Sequence, residues 1–146
     1  MPRTQNRSDL DVKRSQITAR TSLYSDFDLA FKPHPNTGDI TTLYDINAVK
    51  QSVKNLVLTN RGERPFAPNL GCDVRGLLFE PADAFTAVSI KEAITLTLDT
   101  YEPRINLKSV LVSAEPDNNR YAVEIEFQIK TDLQTGSLQF YLERIR

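Results

Sequence analysis

The chain has no tryptophan, one cysteine, one histidine and five glycines in 146 residues. Each shortage removes a class of function. Cys72 alone cannot form an internal disulfide or a cysteine-rich zinc site, so a reduced thiol packed near a turn is expected. His34 and Cys72 stand 38 positions apart, with no spacing that defines a nucleophile, a base or an oxyanion hole. The scattered carboxylates make neither a calcium loop nor a histidine-rich transition-metal pattern, and the few glycines form no phosphate-binding loop. No metal, no cofactor and no catalytic residue is therefore expected. No run reaches the roughly 20 apolar residues that cross a bilayer, and the N-terminus lacks the apolar segment of a secretory signal. An intracellular soluble product without direct membrane insertion is the expectation. The net charge of −1 gives no overall attraction to nucleic acid.

What is present suits one soluble domain. The composition, 40% hydrophobic and 25% charged, is that of a globule, and a chain of this length buries roughly two thirds of its extended surface. The most constrained stretch is Asn60–Gly71, with two prolines that fix φ, two glycines open to unusual turns, and Arg61, Glu63 and Arg64 within four positions. It is too polar for a core element and too specified for a linker, and it joins two amphipathic helices. A held surface shape, used for assembly, is the reading.

In chain order, residues 1–22 read as an extended basic N-terminal arm. Arg3, Arg7, Lys13, Arg14 and Arg20 stand against Asp9 and Asp11, an arm either solvated, pinned by a neighbour, or touching an acidic surface. Phe27, Leu29 and Phe31 alternate with polar neighbours and predict a short strand with one buried face. His34–Asp39 is a turn, to which the histidine belongs. Asp45 is the expected N-cap of a helix over 46–58, with Ile46, Val49, Val53, Leu56 and Val57 on one face. Asn60 and Gly62 are expected to supply its left-handed ending. Leu77, Leu78 and Phe79 form an apolar anchor. A second helix then begins between Ala82 and Thr86 and runs to about Thr100 with Ala87, Ile90, Ile94, Leu98 and Tyr101 inward, Val88 and Leu96 falling off that seam, and Pro103 forbidding continuation. The last third is a meander: 106–114, then 120–130 with Tyr121, Val123, Ile125, Phe127 and Ile129 on one face, then a strand marked by Leu138, Phe140 and Leu142.

The fold class expected is α+β, two main helices on one face of a mostly antiparallel sheet of about four strands, the early short strand included. The last strand, with Leu138, Phe140 and Leu142, is a candidate pairing edge for a strand from another protein. Glu143, Arg144 and Arg146, or the N-terminal arm, are the alternative that would cover it.

Several motifs, in order, carry a family resemblance: Gln51–Leu56, Gly62–Glu63–Arg64–Pro65–Phe66, Gly71, Leu77–Pro81 and Tyr101–Glu102–Pro103–Arg104–Ile105. Together they resemble the small baseplate wedge proteins of contractile phage tails, whose relatives occur in type VI secretion baseplates and which older naming calls lysozyme-like. The resemblance covers about residues 24–146 and makes 23–146 a baseplate wedge domain. It implies a structural virion component at the inner tail baseplate, assembled in the host cytoplasm. The implied partners are larger wedge proteins forming a helical core bundle, the sheath protein at its first ring and, through the N-terminal arm, tube or hub proteins. It further implies that Glu102, Pro103 and Arg104 contact the core bundle and that Gly62, Glu63, Arg64 and Pro65 brace the fold or an interface.

The residues themselves leave two readings of the Glu102–Arg104 corner open, a partner contact through the guanidinium fork or a helix-ending ion pair within the chain. On the first, Arg104→Ala would spare the isolated fold. A glycoside hydrolase would need two carboxyl groups across a saccharide cleft, and Glu63, Glu80 and Glu102 each sit beside proline or arginine in settings that suit turns and ion pairs. A generic oligomeric adaptor is the non-enzymatic competitor.

Overall fold

The strand with the clearest alternation becomes the centre of the fold. In a computed structural model that describes residues 22–35 and 38–143, three antiparallel strands, β3 (Ile105–Glu115), β4 (Arg120–Ile129) and β5 (Thr135–Glu143), lie in the order β3-β4-β5. Cross-strand rows such as Val110–Ile125–Leu138, Val112–Val123–Phe140 and Ala114–Tyr121–Leu142 make the inner face. Rows such as Ser113–Ala122–Tyr141 and Leu111–Glu124–Gln139 make the other, largely polar one. A period of two in the side chains thus becomes one dry and one wet surface.

Two main helices cover the dry face, giving the α+β class. Helix α1 (Ile46–Leu58) buries Ala48, Val49, Val53, Leu56 and Val57, and α3 (Ala84–Tyr101) buries Ala87, Ile90, Ile94 and Leu98. Val88 and Leu96 stay exposed off the seam. Between the helices, the one-turn α2 (Val74–Leu77) drops Val74 and Leu78 into the core, with Phe79 left outside. Threonine is a weak helix former, and in α3 the hydroxyls of Thr95, Thr97 and Thr100 each donate to a carbonyl one turn back, at Lys91, Ala93 and Leu96, so the packing of the buried face supplies the stability that propensity does not. Asp83 caps α3, its Oδ1 accepting from Thr86 N at 2.8 Å. That hydrogen bond holds the Asp83 carboxyl below its usual pKa.

The structure corrects three local expectations. Asp45 stands before α1 but makes no side-chain cap; its Oδ1 accepts instead from Leu23 N at 2.9 Å and Tyr24 N at 3.4 Å, tying the start of the described chain to the helix. The end of α1 is not left-handed: Thr59 is extended, and its N–H and Oγ1 both donate to Asn55 O. Nor do Phe27, Leu29 and Phe31 share a strand with a buried face. Strand β1 is Ser25–Phe27, paired with β2 (Thr42–Tyr44) in a ribbon separate from the main sheet. The chain turns directly after it, with Phe31 N donating to Asp28 O and Phe31 at φ +50°, so all three side chains are exposed. The main sheet accordingly has three strands among the described residues, without the early strand. Residues 1–21 of the 1–22 arm, Asn36 and Thr37 of the turn, and Arg144 and Arg146 lie outside the described residues.

Candidate functional site

Pro103 stops α3 and turns the chain into β3, and the two residues beside it meet at once. Glu102, whose side chain is 3% exposed, accepts from Arg104 Nε at 2.6 Å through Oε1 and from Arg104 Nη2 at 2.7 Å through Oε2. Ser52 Oγ of α1 donates to Oε2 at 2.7 Å, so one carboxylate fastens the end of α3 to the middle of α1. Burial is the largest influence on Glu102 and acts to raise its pKa. The hydrogen bonds from Arg104 and Ser52, with the charge of Arg104, outweigh it and hold the carboxyl below its ordinary value. The Arg104 guanidinium lies 5.4 Å from the centroid of the Tyr24 ring and keeps 33% of its side chain exposed. The ion pair within the chain is therefore formed, and only two of the five guanidinium N–H groups are used in it.

The Asn60–Gly71 stretch is a closed loop. Its neck is the bond from Cys72 N to Thr59 O at 2.8 Å, and its waist the bond from Gly62 N to Pro68 O at 2.7 Å. Glu63 turns back on the loop, Oε2 accepting from Asn60 N at 2.8 Å, and Tyr101 Oη donates to Asn69 O at 2.6 Å. Gly62 has φ +81°, which an L side chain rarely adopts. Gly62 and Glu63 thus supply bonds that close the loop, and all four of Gly62, Glu63, Arg64 and Pro65 are exposed on it. Arg64 also lines a hollow of about 370 Å³ with Asp26, Tyr101, Glu102 and Arg104, so loop and corner share one surface.

Sequence reasoning passed over Phe66, the most exposed large apolar residue among those described, at 102%. An aromatic residue between two prolines in an otherwise polar stretch was the available signal.

Leu138 and Phe140 are partly buried and Leu142 is buried, all on the helix side of β5. What β5 can offer a partner is its main chain: β4 is its only strand neighbour among the described residues, and the register is unbroken from Arg120–Glu143 to Gln128–Thr135. The opposite edge, β3, carries a bulge between Leu107 and Ser109 and the exposed Lys108, features that discourage pairing.

The candidate acids are engaged otherwise. Glu63 holds a backbone N–H, Glu80 Oε2 lies 3.5 Å from Thr86 Oγ1, and the depressed pKa of Glu102 is the reverse of what a general acid requires. His34 serves its turn through the backbone, accepting from Gly38 N and donating to Asp39 O. Burial pushes the Cys72 thiol up, away from the reactive thiolate. Among the described residues, no group of three or more His, Cys, Asp or Glu is placed to hold a metal, and no helix is long and apolar enough to cross a membrane.

Comparison with known proteins places these features in a family context. The family model for Baseplate wedge protein gp25 matches residues 45–135. Baseplate wedge protein gp25 of Enterobacteria phage T4 is 35% identical over 107 residues, covering 73% of this chain and 80% of that protein. Among solved structures, a Geobacter sulfurreducens protein that carries a tail lysozyme name superposes with a TM-score of 0.62 at 26% identity, over 67% of this chain and 89% of that one. A chain of the anti-feeding prophage baseplate gives 0.55 at 19% identity, over 84% and 87% respectively, a likeness of fold.

Proposed function

The chain belongs to the baseplate wedge protein gp25 family, and from that premise we propose that it is a structural subunit of a contractile-tail baseplate wedge. In this reading it links the inner wedge core to the tube-sheath region and starts the first sheath ring through the outer edge of β5. The observation that carries the edge assignment is the unbroken nine-residue β5, with no described strand on its outer side. Main-chain groups left without a partner at a regular edge accept a strand of another protein at little conformational cost.

The corner is the second contact. Glu102 acts as a positioning residue that holds the plane of Arg104, and the outward N–H groups of Arg104 meet carboxylates or backbone carbonyls of larger wedge proteins that form a helical core bundle. Arg64 stands on the same rim. Tube or hub proteins are assigned to the arm over residues 1–22, and the wedge domain to 23–146. The place of action is the tail baseplate of the particle, after assembly in the host cytoplasm, and the role is non-enzymatic. The engagement of Glu63, Glu80 and Glu102 described above supports this over glycoside hydrolysis.

Loss of the gene, followed by electron microscopy of purified particles, tests the role. Defective baseplates or naked tubes are expected; intact contractile tails would refute it. For the corner, Arg104→Lys keeps a charge beside Glu102 but loses the planar fork, so incorporation into tails is expected to fall about tenfold while the loss of stability stays smaller than in Arg104→Ala. Incorporation equal to the parent's would remove Arg104 from the interface.

A further inference from the structure

We propose that Phe66 is an anchor that enters an apolar pocket, rimmed by aspartate or glutamate side chains, on a neighbouring protein of the baseplate. The proposal rests on the baseplate reading and names a contact which that reading does not contain.

Three observations support it. Phe66 is 102% exposed, against 57% for Phe79 and 78% for Phe85, so the loop lifts the whole ring clear of the body. The loop that lifts it is closed at neck, waist and side by the bonds Cys72 N to Thr59 O, Gly62 N to Pro68 O and Tyr101 Oη to Asn69 O. An aromatic side chain presented on a pre-ordered loop binds without the entropy cost of ordering it, the usual make-up of an interface hot spot. The charge beside it is net positive. Arg61, Glu63 and Arg64 are all exposed; the Glu63 carboxylate is engaged by Asn60 N, while Arg61 and Arg64 take part in neither of the ion pairs found among the described residues, Arg104–Glu102 and Arg120–Glu115. A pocket that receives the ring would therefore be met by two guanidinium groups at its rim, where carboxylates give the complementary potential. Arg64 also lines the hollow at the Glu102–Arg104 corner, so the anchor is continuous with the surface assigned to the wedge partners.

The test uses the full-length chain in assembled tails. A photoreactive benzoylphenylalanine is placed at position 66, with one at Phe79 as control, and adducts are mapped by mass spectrometry after irradiation. The expected result is one adduct at 66, to a different baseplate protein, within a peptide containing Asp or Glu beside the crosslinked residue. No adduct above the unirradiated level, an adduct to a second copy of this chain or to lipid, or a site without acidic neighbours would overturn the proposal. In a second arm, Phe66→Ala and the parent are co-expressed. The variant is expected in tails at about one tenth of the parent's share or less, with Phe66→Leu between them and the double variant Arg61→Glu, Arg64→Glu also depleted. Equal shares would overturn the anchor. If tails form without the gene product at all, the baseplate reading fails; if they need it yet accept Phe66→Ala equally, the anchor alone fails.

Discussion

Arg104→Ala is expected to cost the fold about 3 kcal/mol near pH 7, because it strands a buried carboxylate. Glu102 would keep the bond from Ser52 Oγ and lose both bonds from Arg104. Glu102→Ala is expected to cost less, about 2 kcal/mol, since the orphaned Arg104, already one third exposed, can swing into water. The double variant should cost less than the sum of the two, and the shortfall measures the pair itself.

The pH dependence separates this account from simple loss of packing. In the parent, Glu102 ionises more readily folded than unfolded. Its contribution is complete above the ordinary glutamate value of about 4.3 and is lost as pH falls through the lower folded value. In Arg104→Ala, burial is opposed by the bond from Ser52 alone, and the folded value is expected to rise above the unfolded one. That variant is then relatively unharmed in acid and loses stability as pH rises through the unfolded value towards the raised folded one. Urea unfolding of parent and variant between about pH 4 and 7 should show the penalty shrinking in acid. A penalty that stays constant would mean that the carboxylate is not what Arg104 supports. The expectation that Arg104→Ala spares the isolated fold is thus replaced, and Arg104→Lys becomes the cleaner probe of the interface.

The parts of this molecule that were legible in its sequence are those where one periodicity decides one burial. Tyr121 to Ile129 alternate and bury alternately, and the α1 and α3 faces repeat at helical spacing. Phe27, Leu29 and Phe31 alternate as well, but there a turn at Asp28–Phe31 breaks the strand, and no pattern of polarity reports a turn made by backbone at φ +50°. The corner was half legible. Glu102 and Arg104 are two positions apart, so their meeting could be weighed, whereas Ser52, which completes the carboxylate's shell, is fifty positions away and known only from the packing of α1 on α3. Phe66 was hidden for the opposite reason. Its chemistry suggests burial, its place between two prolines in a polar stretch argues against it, and the closed loop decides that the side chain is held out.

That loop depends on one backbone contact, which Gly71→Ala would break. Gly71 has φ +134°, and a Cβ there would lie 2.5 Å from Thr59 O and 2.9 Å from the Asn60 carbonyl carbon and oxygen. All three are main-chain atoms, so no side chain can rotate to make room, and the bond from Cys72 N to Thr59 O at the neck has to open. Strain at a disfavoured φ and the displaced backbone together are expected to cost about 3 kcal/mol, a fall of roughly 10 °C in Tm for a domain of this size. Gly62→Ala isolates the first of these effects. Gly62 has φ +81° but nothing within 4 Å of the place a Cβ would take, so about 1 kcal/mol is expected there. Calorimetry on the two variants, with amide exchange at Gly62 and Cys72, would distinguish them: Gly71→Ala should release protection at both amides, and Gly62→Ala should leave Cys72 protected. Equal losses of stability would show that the close approach to Thr59 is not what holds the neck. Because the same neck holds Phe66 away from the body, Gly71→Ala should also lose partner binding in excess of its loss of stability, a difference read by comparing its share in tails with that of a core variant of equal Tm.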